Sequence, residues 1–531
     1  MATMSWSYFA RRRPLTAIGA VLVLLVAAVG PVASAQALQS RLEGLIRGSD
    51  LGETRVAVMV LDLDRHELLV AIDPDAAMIP ASNMKLVTTA AALDVLGAEH
   101  VFRTELALTP ATATTTPATP ATATASAAVG GGAIDGGAAA GGAYPSLVIT
   151  GDGDPAFGDP DLLARHQPPL AVDDLLARWV EVVKATGHAR FDRLIVDDRV
   201  LDREFVHASW PTDQLINRWA APVAGLNFYR NTIDVMAQPD PSGGSPIVEI
   251  FPAAPFLQTR NRARTGDRDA FWISRSPGSD IFTFHGTVRQ RGTAPVEVTV
   301  HDPPIFLANV LRHELGEAGI AVGAVVRHDE LDAELADRMP LHAVQTTLPL
   351  VLMRTNQDSQ NMFAEALIKR MGHAVTGEAG SWENGAAAIR MAMRQRLGPS
   401  SAAISIADGS GLSRDNRVTT RALVELLRSM HEDEHRGRIW RQTLAHAGHS
   451  GTLRNRMQSI DGEVYGKTGY IRGVSALSGY LVLPATDDGP PRTIAFSFLF
   501  NGFEPPLRNA HMRDLQDAMV EAIHEHLAAR R

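Results

Sequence analysis

Hydrophobic residues recur at helical spacing in seven stretches of this chain. That spacing gathers them on one face of an α-helix. The predicted helices lie near residues 84–96, 161–188, 304–318, 348–371, 382–396, 420–431 and 509–529. Shorter runs rich in β-branched and aromatic residues, bounded by turn-forming residues, predict strands. The clearest strand candidates are SLVIT, FDRLIVDDRV, NTIDVMAQ, PIVEIFPA, IFTFHGTV, PVEVTV, EVYGKTGYIRG, ALSGYLVLP and RTIAFSFLF.

The first 35 residues have the pattern of a cleaved signal peptide. Three arginines at positions 11–13 precede an apolar stretch at 15–29, and Ala33-Ser34-Ala35 follows. A basic region, an apolar region and a small-residue cleavage site in that order direct a protein to export. We therefore predict cleavage after Ala35 and a location in the periplasm. The alternative, an uncleaved anchor, would add a weak membrane association.

The chain is acidic and contains no cysteine. Its 531 residues carry a net charge of −9, and loss of the signal peptide, which holds three arginines and no acids, leaves −12. A net negative charge argues against a nucleic-acid partner. The lack of cysteine excludes thiol catalysis and cysteine–metal sites. Residues 109–143 are of low complexity, and we expect them to form a flexible surface insertion.

A lysine at the start of the first predicted helix is the first candidate for chemistry. Lys85 is the only ionisable residue between Asp75 and Asp94, and it follows Ser82 by three positions, so the two side chains share a helix face. In a purely structural interpretation, Ser82 caps the helix and Lys85 extends to solvent. However, a lysine in the first turn opposes the helix dipole, and the dipole and burial together would lower its pKa. Such a lysine can deprotonate a neighbouring serine and make it a nucleophile.

Two later motifs complete a pattern. Ser359 and Asn361 flank one residue at the start of an apolar helix, and the K-T-G at 467–469 lies in a strand that we expect to turn back at 472–473. A polar helix start and a strand bulge would explain each motif separately. In the order S-x-x-K, S-x-N, K-T-G, however, the three motifs are the signature of penicillin-binding proteins and serine β-lactamases.

The stretches around these motifs resemble the class C low-molecular-mass penicillin-binding proteins, a family of D-alanyl-D-alanine carboxypeptidases and endopeptidases. They are RWAAPVAGLNFYRNTIDV, TNQDSQNMFAEAL, GSWENGA, ADGSGLSRDNRVTT, GTLRNR and KTGYIRGVSALSGY. The resemblance implies an α+β multidomain protein. Its serine peptidase domain would consist of an antiparallel sheet flanked by helices and a helical lobe. Inserted, mostly β-containing domains would interrupt that peptidase domain. We expect the peptidase at 36–101 and 339–531, and the inserted domains at 102–338.

The resemblance also implies a role for each motif residue. The expected catalytic residues are Ser82, Lys85, Ser359, Asn361 and Lys467, and the expected substrate-binding residues are Thr468, Gly469 and Tyr470. The backbone amides of Ser82 and Tyr470 would form the oxyanion site. We expect Lys85 to be buried among Ser82, Ser359 and Asn361. The implied partners are peptidoglycan stem peptides and β-lactam antibiotics, and no cofactor is implied.

A second pair of residues would recognise the third residue of the stem peptide. If that residue is meso-diaminopimelate, its free end carries an ammonium and a carboxylate, which need one acid and one arginine. Arg414 in DGSGLSR and Asp197 in LIVDDR are the candidates. A surface ion pair or a turn is the alternative for each of them.

Two other functions stay open at this point, a serine β-lactamase and a non-catalytic peptidoglycan-binding protein. The E-x-x-L-N stretch typical of class A β-lactamases does not follow Asn361, and a scaffold has no need of all the motif side chains. The HEDEH run at 431–435 matches the H-E-x-x-H pattern of zinc peptidases. Its residues are all polar and follow a helix, so we expect the solvated end of that helix and no metal.

Overall fold

The computed structural model describes residues 35–111, 144–276, 278–328, 335, 337–485 and 490–529. Residues 1–34 of the predicted signal peptide and residues 112–143 of the low-complexity segment lie outside this set. Within the described residues, none of the helices is long and apolar enough to cross a membrane.

The described residues form eleven α-helices and nineteen β-strands. The helices are α1 (35–48), α2 (Met84–Val95), α3 (Pro160–Leu163), α4 (Val172–Lys184), α5 (Pro303–Glu317), α6 (Leu348–Asn356), α7 (Asn361–Thr376), α8 (Trp382–Leu397), α9 (Thr420–Glu432), α10 (Arg436–Gln442) and α11 (Asn509–Ala528). The strands are β1 (Arg55–Asp62), β2 (Glu67–Ile72), β3 (Val101–Thr109), β4 (Ser146–Gly151), β5 (Arg190–Asp197), β6 (Thr232–Gln238), β7 (Ile247–Phe251), β8 (Gln258–Asn261), β9 (Arg264–Thr265), β10 (Trp272–Arg275), β11 (Ile281–His285), β12 (Thr287–Val288), β13 (Val296–Thr299), β14 (Ala321–Arg327), β15 (Met339–Thr347), β16 (Ala445–His446), β17 (Glu463–Ile471), β18 (Val474–Leu483) and β19 (Arg492–Asn501). All seven stretches predicted to be helical contain helix, but two of them, 161–188 and 348–371, each contain two separate helices.

A six-stranded antiparallel sheet joins the two ends of the chain. Its order is β16-β17-β18-β19-β1-β2, so that β1 pairs with β19 along its whole length. Strands β18 and β19 are almost entirely buried, which explains why their sequences are apolar on both faces. Helices α1 and α11 cover one face, with Phe496, Phe498 and Phe500 in the core between them. The turn between β17 and β18 confirms the predicted hairpin, and its Gly473 has a φ of +73°.

The other face of the sheet packs against a lobe formed by α2 and α6 to α10. Residues 84–93 of α2 are all buried, so its uniformly apolar sequence is that of a central helix. The single helix predicted at 348–371 is wrong. The chain leaves helical geometry at 357–360, where Ser359 has a φ of +58°, and α7 begins at Asn361. Contacts with distant residues hold this segment outside the helix, since Lys467 donates to Ser359 Oγ and the Thr452 amide donates to the Gln357 carbonyl.

A five-stranded sheet is the centre of the inserted region. Its order is β14-β5-β4-β3-β15, and the parallel strands β4, β5 and β14 are covered by α4 and α5. Strands β6 to β13 form three smaller sheets. The helix predicted at 161–188 is divided into α3 and α4, because the prolines at 168–169 cannot donate helical hydrogen bonds.

The pairing of β15 bears on the domain limits. This strand follows the limit of 338 expected from the sequence, yet it pairs with β3 through most of its length. We therefore propose that the inserted region extends over 101–347. Its proposed end lies nine residues beyond the expected limit, and the peptidase parts become 36–100 and 348–531.

A buried ion pair joins the inserted region to the helical lobe. Arg354 on α6 is 2% exposed and donates to both carboxylate oxygens of Asp159, which caps α3 and is fully buried. The same guanidinium reaches Asp161 at 2.7 Å and Asp358 at 2.6 Å. Asp358 directly precedes Ser359, so this network fixes the start of the second motif against the inserted region.

We expect Arg354→Met to lower the free energy of unfolding by about 3–5 kcal/mol, because it leaves Asp159 buried without its cation. Urea unfolding followed by circular dichroism would measure the loss. Arg421→Gln is the matched control, since its ion pair with Asp75 is largely exposed and should contribute at most about 1 kcal/mol. Equal losses in the two variants would contradict the role of Arg354 in joining the two regions.

Candidate active site

Ser82 lies on a short 3₁₀ turn, Ala81–Asn83, directly before α2. The turn is tied to strand β17 by the side chain of Asn83. Its Nδ2 donates to the Lys467 carbonyl at 2.8 Å, and its Oδ1 accepts from Ser478 at 2.6 Å. The first and third motifs are therefore joined by a buried residue at one of the unspecified positions of the first motif.

Gly469 lets β17 approach the serine closely. A Cβ at this position would lie 2.9 Å from the Pro80 carbonyl oxygen and 3.1 Å from the Ser82 nitrogen. Such distances are too short for any side chain, so the close approach requires glycine. Among the described strands, β16 pairs with β17 only before Lys467, which leaves the outer edge of β17 unpaired beside Ser82.

Lys85 is fully buried, and its Nζ lies 2.9 Å from Ser82 Oγ. The same Nζ donates to Asn361 Oδ1 at 2.6 Å and to the Ser410 carbonyl at 2.9 Å. Burial lowers the pKa of Lys85 to about 7, and two nearby carboxylates oppose this shift. Near neutral pH a large fraction of Lys85 is therefore uncharged and can accept a proton from Ser82.

The two carboxylates also hold the loop that carries Ser410. Glu365 on α7 accepts from the backbone amides of Gly409 and Ser410 at 3.0 and 2.8 Å. Asp408 accepts from the amides three and five residues further along the chain. Burial raises the pKa of Glu365 to about 7, and the charge of Asp408 adds to the rise. Sequence reasoning missed both acids. The available signal was the D-G-S-G run at 408–411, whose closely spaced amides suit a buried acceptor.

Lys467 is the second buried lysine of the site. Its Nζ donates to Ser359 Oγ at 2.9 Å and to the Thr468 carbonyl at 2.8 Å. Burial and the positive charge of Lys85 hold the pKa of Lys467 well below its usual range. Ser359 was expected beside Lys85, but its hydroxyl bonds Lys467 instead. The third oxygen at Lys85 Nζ, besides those of Ser82 and Asn361, is the Ser410 carbonyl.

The inserted region orients Asn361. The Nδ2 of Asn361 donates to the Trp219 carbonyl at 2.7 Å, while its Oδ1 accepts from Lys85. An amide whose nitrogen is fixed on one side must present its oxygen on the other. The motif residue is thus oriented by a backbone carbonyl that no motif contains.

These residues lie around an open cleft of about 790 Å³. The motif residues Ser82, Ser359 and Asn361 line it, together with residues 470–472, which follow the K-T-G motif. Residues 211–219 of the inserted region and residues 411–414 complete its walls. Thr468 and Gly469 line a smaller hollow of about 240 Å³ next to the cleft. Here the Thr468 hydroxyl bonds the Thr452 hydroxyl at 2.9 Å.

The structure separates the two residues expected to recognise the third stem residue. Arg414 lines the cleft and donates to the Arg472 carbonyl at 2.9 Å. Asp197 is not among the residues that line the cleft, since it ends β5 and is paired with Arg199 at 2.8 Å. The acid that lines the cleft with Arg414 is Asp213, so Asp213 replaces Asp197 as the candidate. Its sequence surroundings gave no sign of this.

The HEDEH run is not a single helical motif. Helix α9 ends at Glu432, and His435 precedes α10, so the two histidines do not share a helix face. Within the described ranges, no three histidine, aspartate or glutamate side chains are grouped closely enough to hold a metal ion.

Comparisons with known proteins bear on the family of this chain. The sequence profile of the D-Ala-D-Ala carboxypeptidase 3 (S13) family matches residues 38–127 and 128–526. A D-alanyl-D-alanine carboxypeptidase of Actinomadura sp. (strain R39) is 30% identical, and the match covers 97% of this chain and 88% of that protein.

Solved structures confirm the α+β fold class. The crystal structure of penicillin binding protein 4 from Haemophilus influenzae has a TM-score of 0.69 at 20% identity, covering 91% of this chain and 99% of that chain. A second structure of that protein, complexed with a β-lactam, has a TM-score of 0.66 at 18% identity, with the same coverage of both chains. With the fold and the match over nearly its whole length in agreement, the chain belongs to the D-Ala-D-Ala carboxypeptidase 3 (S13) family.

Proposed function

We propose that this protein is a serine D-alanyl-D-alanine carboxypeptidase and endopeptidase that cleaves peptidoglycan stem peptides and is acylated by penicillin. The observation that carries the proposal is the fully buried Lys85 Nζ, 2.9 Å from Ser82 Oγ. The related Actinomadura carboxypeptidase supports the reaction, and the β-lactam complex of the Haemophilus protein supports the class of inhibitor. Peptidoglycan lies outside the cytoplasm, which agrees with the export predicted from residues 1–35.

Acylation begins at Ser82 in the proposed mechanism. Ser82 Oγ attacks the carbonyl between the last two D-alanines, and neutral Lys85 takes the hydroxyl proton. The negative charge that develops on the carbonyl oxygen needs two aimed N–H groups, which we assign to the amides of Ser82 and Tyr470. The close approach of Gly469 to Ser82 supports this assignment, since it brings the strand that carries Tyr470 next to the nucleophile.

Ser359 is the proposed proton donor to the leaving amine. Because Lys467 donates to Ser359 Oγ, the hydroxyl proton of Ser359 stays available for that amine. Lys467 and Thr468 are the proposed partners of the terminal carboxylate of the substrate. Departure of D-alanine leaves an ester on Ser82. Lys467 returns a proton to Ser359 Oγ along the hydrogen bond between them. Water then hydrolyses the ester on Ser82: neutral Lys467 takes a proton from the attacking water, and protonated Lys85 returns a proton to Ser82 Oγ.

We expect Ser82→Ala to abolish both the release of D-alanine from a pentapeptide and covalent labelling by fluorescent penicillin. Gel fluorescence and mass spectrometry would detect the adduct, which should be stable in the unsubstituted protein. Ser242→Ala, at an exposed serine of the inserted region, is the control. Persistent labelling of Ser82→Ala would contradict the choice of nucleophile, and rapid hydrolysis of nitrocefin by the unsubstituted protein would indicate a β-lactamase.

We expect the rate of acylation by penicillin to rise with pH through about 7, because only neutral Lys85 accepts the proton. Glu365→Gln should move this rise to lower pH, since the charge of Glu365 raises the pKa of Lys85. Stopped-flow acylation across the neutral range would give the midpoint. Glu383→Gln, at an exposed position on α8, should leave the midpoint unchanged. A midpoint at higher pH in Glu365→Gln would contradict the electrostatic coupling.

We also propose that Asp213 and Arg414 recognise the third residue of the stem peptide, since both line the cleft that contains Ser82. Asp213→Asn and Arg414→Gln should each raise KM for diaminopimelate peptides by about tenfold, because each removes one charge-assisted hydrogen bond. Hydrolysis of diacetyl-lysyl-D-alanyl-D-alanine, which lacks the free charged end, should be unchanged. A similar rise in KM for both substrates would argue for a structural role.

A further inference from the structure

A short segment of the inserted region, residues 202–210, packs against the loop at 408–413. We call it the support segment. Its Trp210 side chain is 3% exposed, and Nε1 of the indole donates to Asp408 Oδ2 at 2.9 Å. A buried N–H and a buried carboxylate both need hydrogen-bond partners, so each of these two groups holds the other in place.

Both ends of the loop are bonded to the support segment. Trp210 bonds the first residue of the loop, and Ser209 Oγ donates to Ser413 Oγ, at the last residue, at 2.7 Å. Between these two bonds lies Ser410, whose carbonyl accepts from Lys85 Nζ at 2.9 Å. The carbonyl that contacts the proposed base therefore lies in a segment that the inserted region holds on either side.

A second indole extends the contact to the other acid near Lys85. Trp382, at the start of α8, donates from Nε1 to Glu365 Oε2 at 2.8 Å. The rings of Trp210 and Trp382 meet edge to face, with their centroids 5.9 Å apart, which is a favourable arrangement of two aromatic rings. Each of the two acids near Lys85 therefore receives one indole N–H, and the inserted region supplies one of these two indoles.

A buried lysine on α7 holds the other end of the support segment. Lys369 is fully buried, and its Nζ donates to Asp202 Oδ1 and to the Glu204 carbonyl, each at 2.5 Å. The same Nζ lies 3.8 Å from the centre of the Trp382 ring, within the range of a cation–π contact. Because a buried cation without partners is costly, these contacts fix the support segment against α7.

Asp408 is fully buried and accepts four hydrogen bonds, two at each carboxylate oxygen. Three of the donors belong to residues 411–416, which follow Asp408 closely in the chain. The fourth is the Trp210 indole, which comes from a segment about 200 positions away in the sequence. A buried anion needs its full set of donors, so the conformation of this loop depends on the inserted region.

Among the described residues, the ionisable side chains that act on Lys85 are Glu365 from α7, Asp408 from the loop and Lys467 from β17. The two acids favour the ammonium form of Lys85 and the positive charge of Lys467 opposes it. The Ser410 carbonyl also favours the ammonium, since it accepts one of its hydrogens. Movement of the loop would withdraw Asp408 and the Ser410 carbonyl together, and the pKa of Lys85 would then fall.

We infer that Trp210 is a positioning residue of the proposed reaction, which holds the loop at 408–413 against Lys85 through its hydrogen bond to Asp408. This inference rests on the proposed function, because it concerns the base that activates Ser82. In this role Trp210 acts on the reaction through Asp408 and not by contact with the reacting atoms. The inserted region thereby contributes to the activation of the nucleophile from a segment outside the three motifs.

Trp210→Phe tests the inference, because it keeps an aromatic ring at the position and removes the N–H. We expect the midpoint of the acylation rate against pH to move down by about half to one pH unit, as for the loss of one buried hydrogen bond. Stopped-flow acylation by penicillin across the neutral range would measure the shift. Trp179→Phe is the matched control, since that indole is also fully buried but its Nε1 bonds no partner within the described residues. Its midpoint should stay that of the unsubstituted protein.

A double-mutant cycle with Asp408→Asn separates action through Asp408 from a general loosening of the fold. Asp408→Asn alone should also lower the midpoint, and the addition of Trp210→Phe should lower it no further, because the indole has then lost its charged partner. A further fall in the double variant would overturn the inference. An unchanged or higher midpoint in Trp210→Phe would also overturn it, and a lower unfolding temperature in that case would assign the indole a structural role. Failure of the unsubstituted protein to react with penicillin would instead reject the proposed function itself.

Discussion

The burial of the Lys85 amino group is the constraint on which the rest of the site depends. A charged ammonium in a protein interior costs several kcal/mol unless polar groups surround it or it gives up its proton. Here three oxygens, from Ser82, Asn361 and Ser410, meet at Nζ, and the pKa falls to about 7. Burial therefore has two consequences. It requires three chain segments to place oxygens around Nζ, and it leaves Lys85 partly unprotonated near neutral pH, as the proposed reaction needs.

Two acids near Lys85, Glu365 and Asp408, limit how far its pKa falls. Burial lowers the pKa of Lys85, while the charges of Glu365 and Asp408 raise it. Without them the lysine would be a weaker base, and proton transfer is most efficient when the pKa lies near the working pH. Backbone amides of the 408–413 loop fix both acids in place. The same loop supplies the Ser410 carbonyl, so one short segment sets both the contacts and the electrostatic environment of the lysine.

Features that depend on residues close together in the chain can be predicted from the sequence, whereas features that depend on distant contacts cannot. The three motifs, the turn at 472–473 and most helices are predictable because each depends on residues a few positions apart. The break before Asn361 and the pairing of β15 with β3 are not, because both follow from contacts between distant segments. The same holds for Asp213, since only the packing of the inserted region brings it to the cleft with Arg414. In the sequence Glu365 looks like an ordinary polar residue of a helix. Its role depends on the 408–413 loop, which is distant in sequence and folds against it.

The inserted region is a part of the site and not an appended module. The side-chain amide of Asn361 could present either its oxygen or its nitrogen to Lys85, and only the oxygen can accept from an ammonium. The Trp219 carbonyl accepts from Nδ2 and so turns Oδ1 toward Lys85. Arg354 and Asp159 hold this region against α6, close to the second motif. A rotation of the inserted region would withdraw Trp219, free the amide to turn over and remove an acceptor from Lys85. The inserted region therefore acts on the proposed base by two routes, the Trp219 carbonyl that orients Asn361 and the Trp210 indole that donates to Asp408. Both depend on the junction at Arg354, which holds the inserted region against α6.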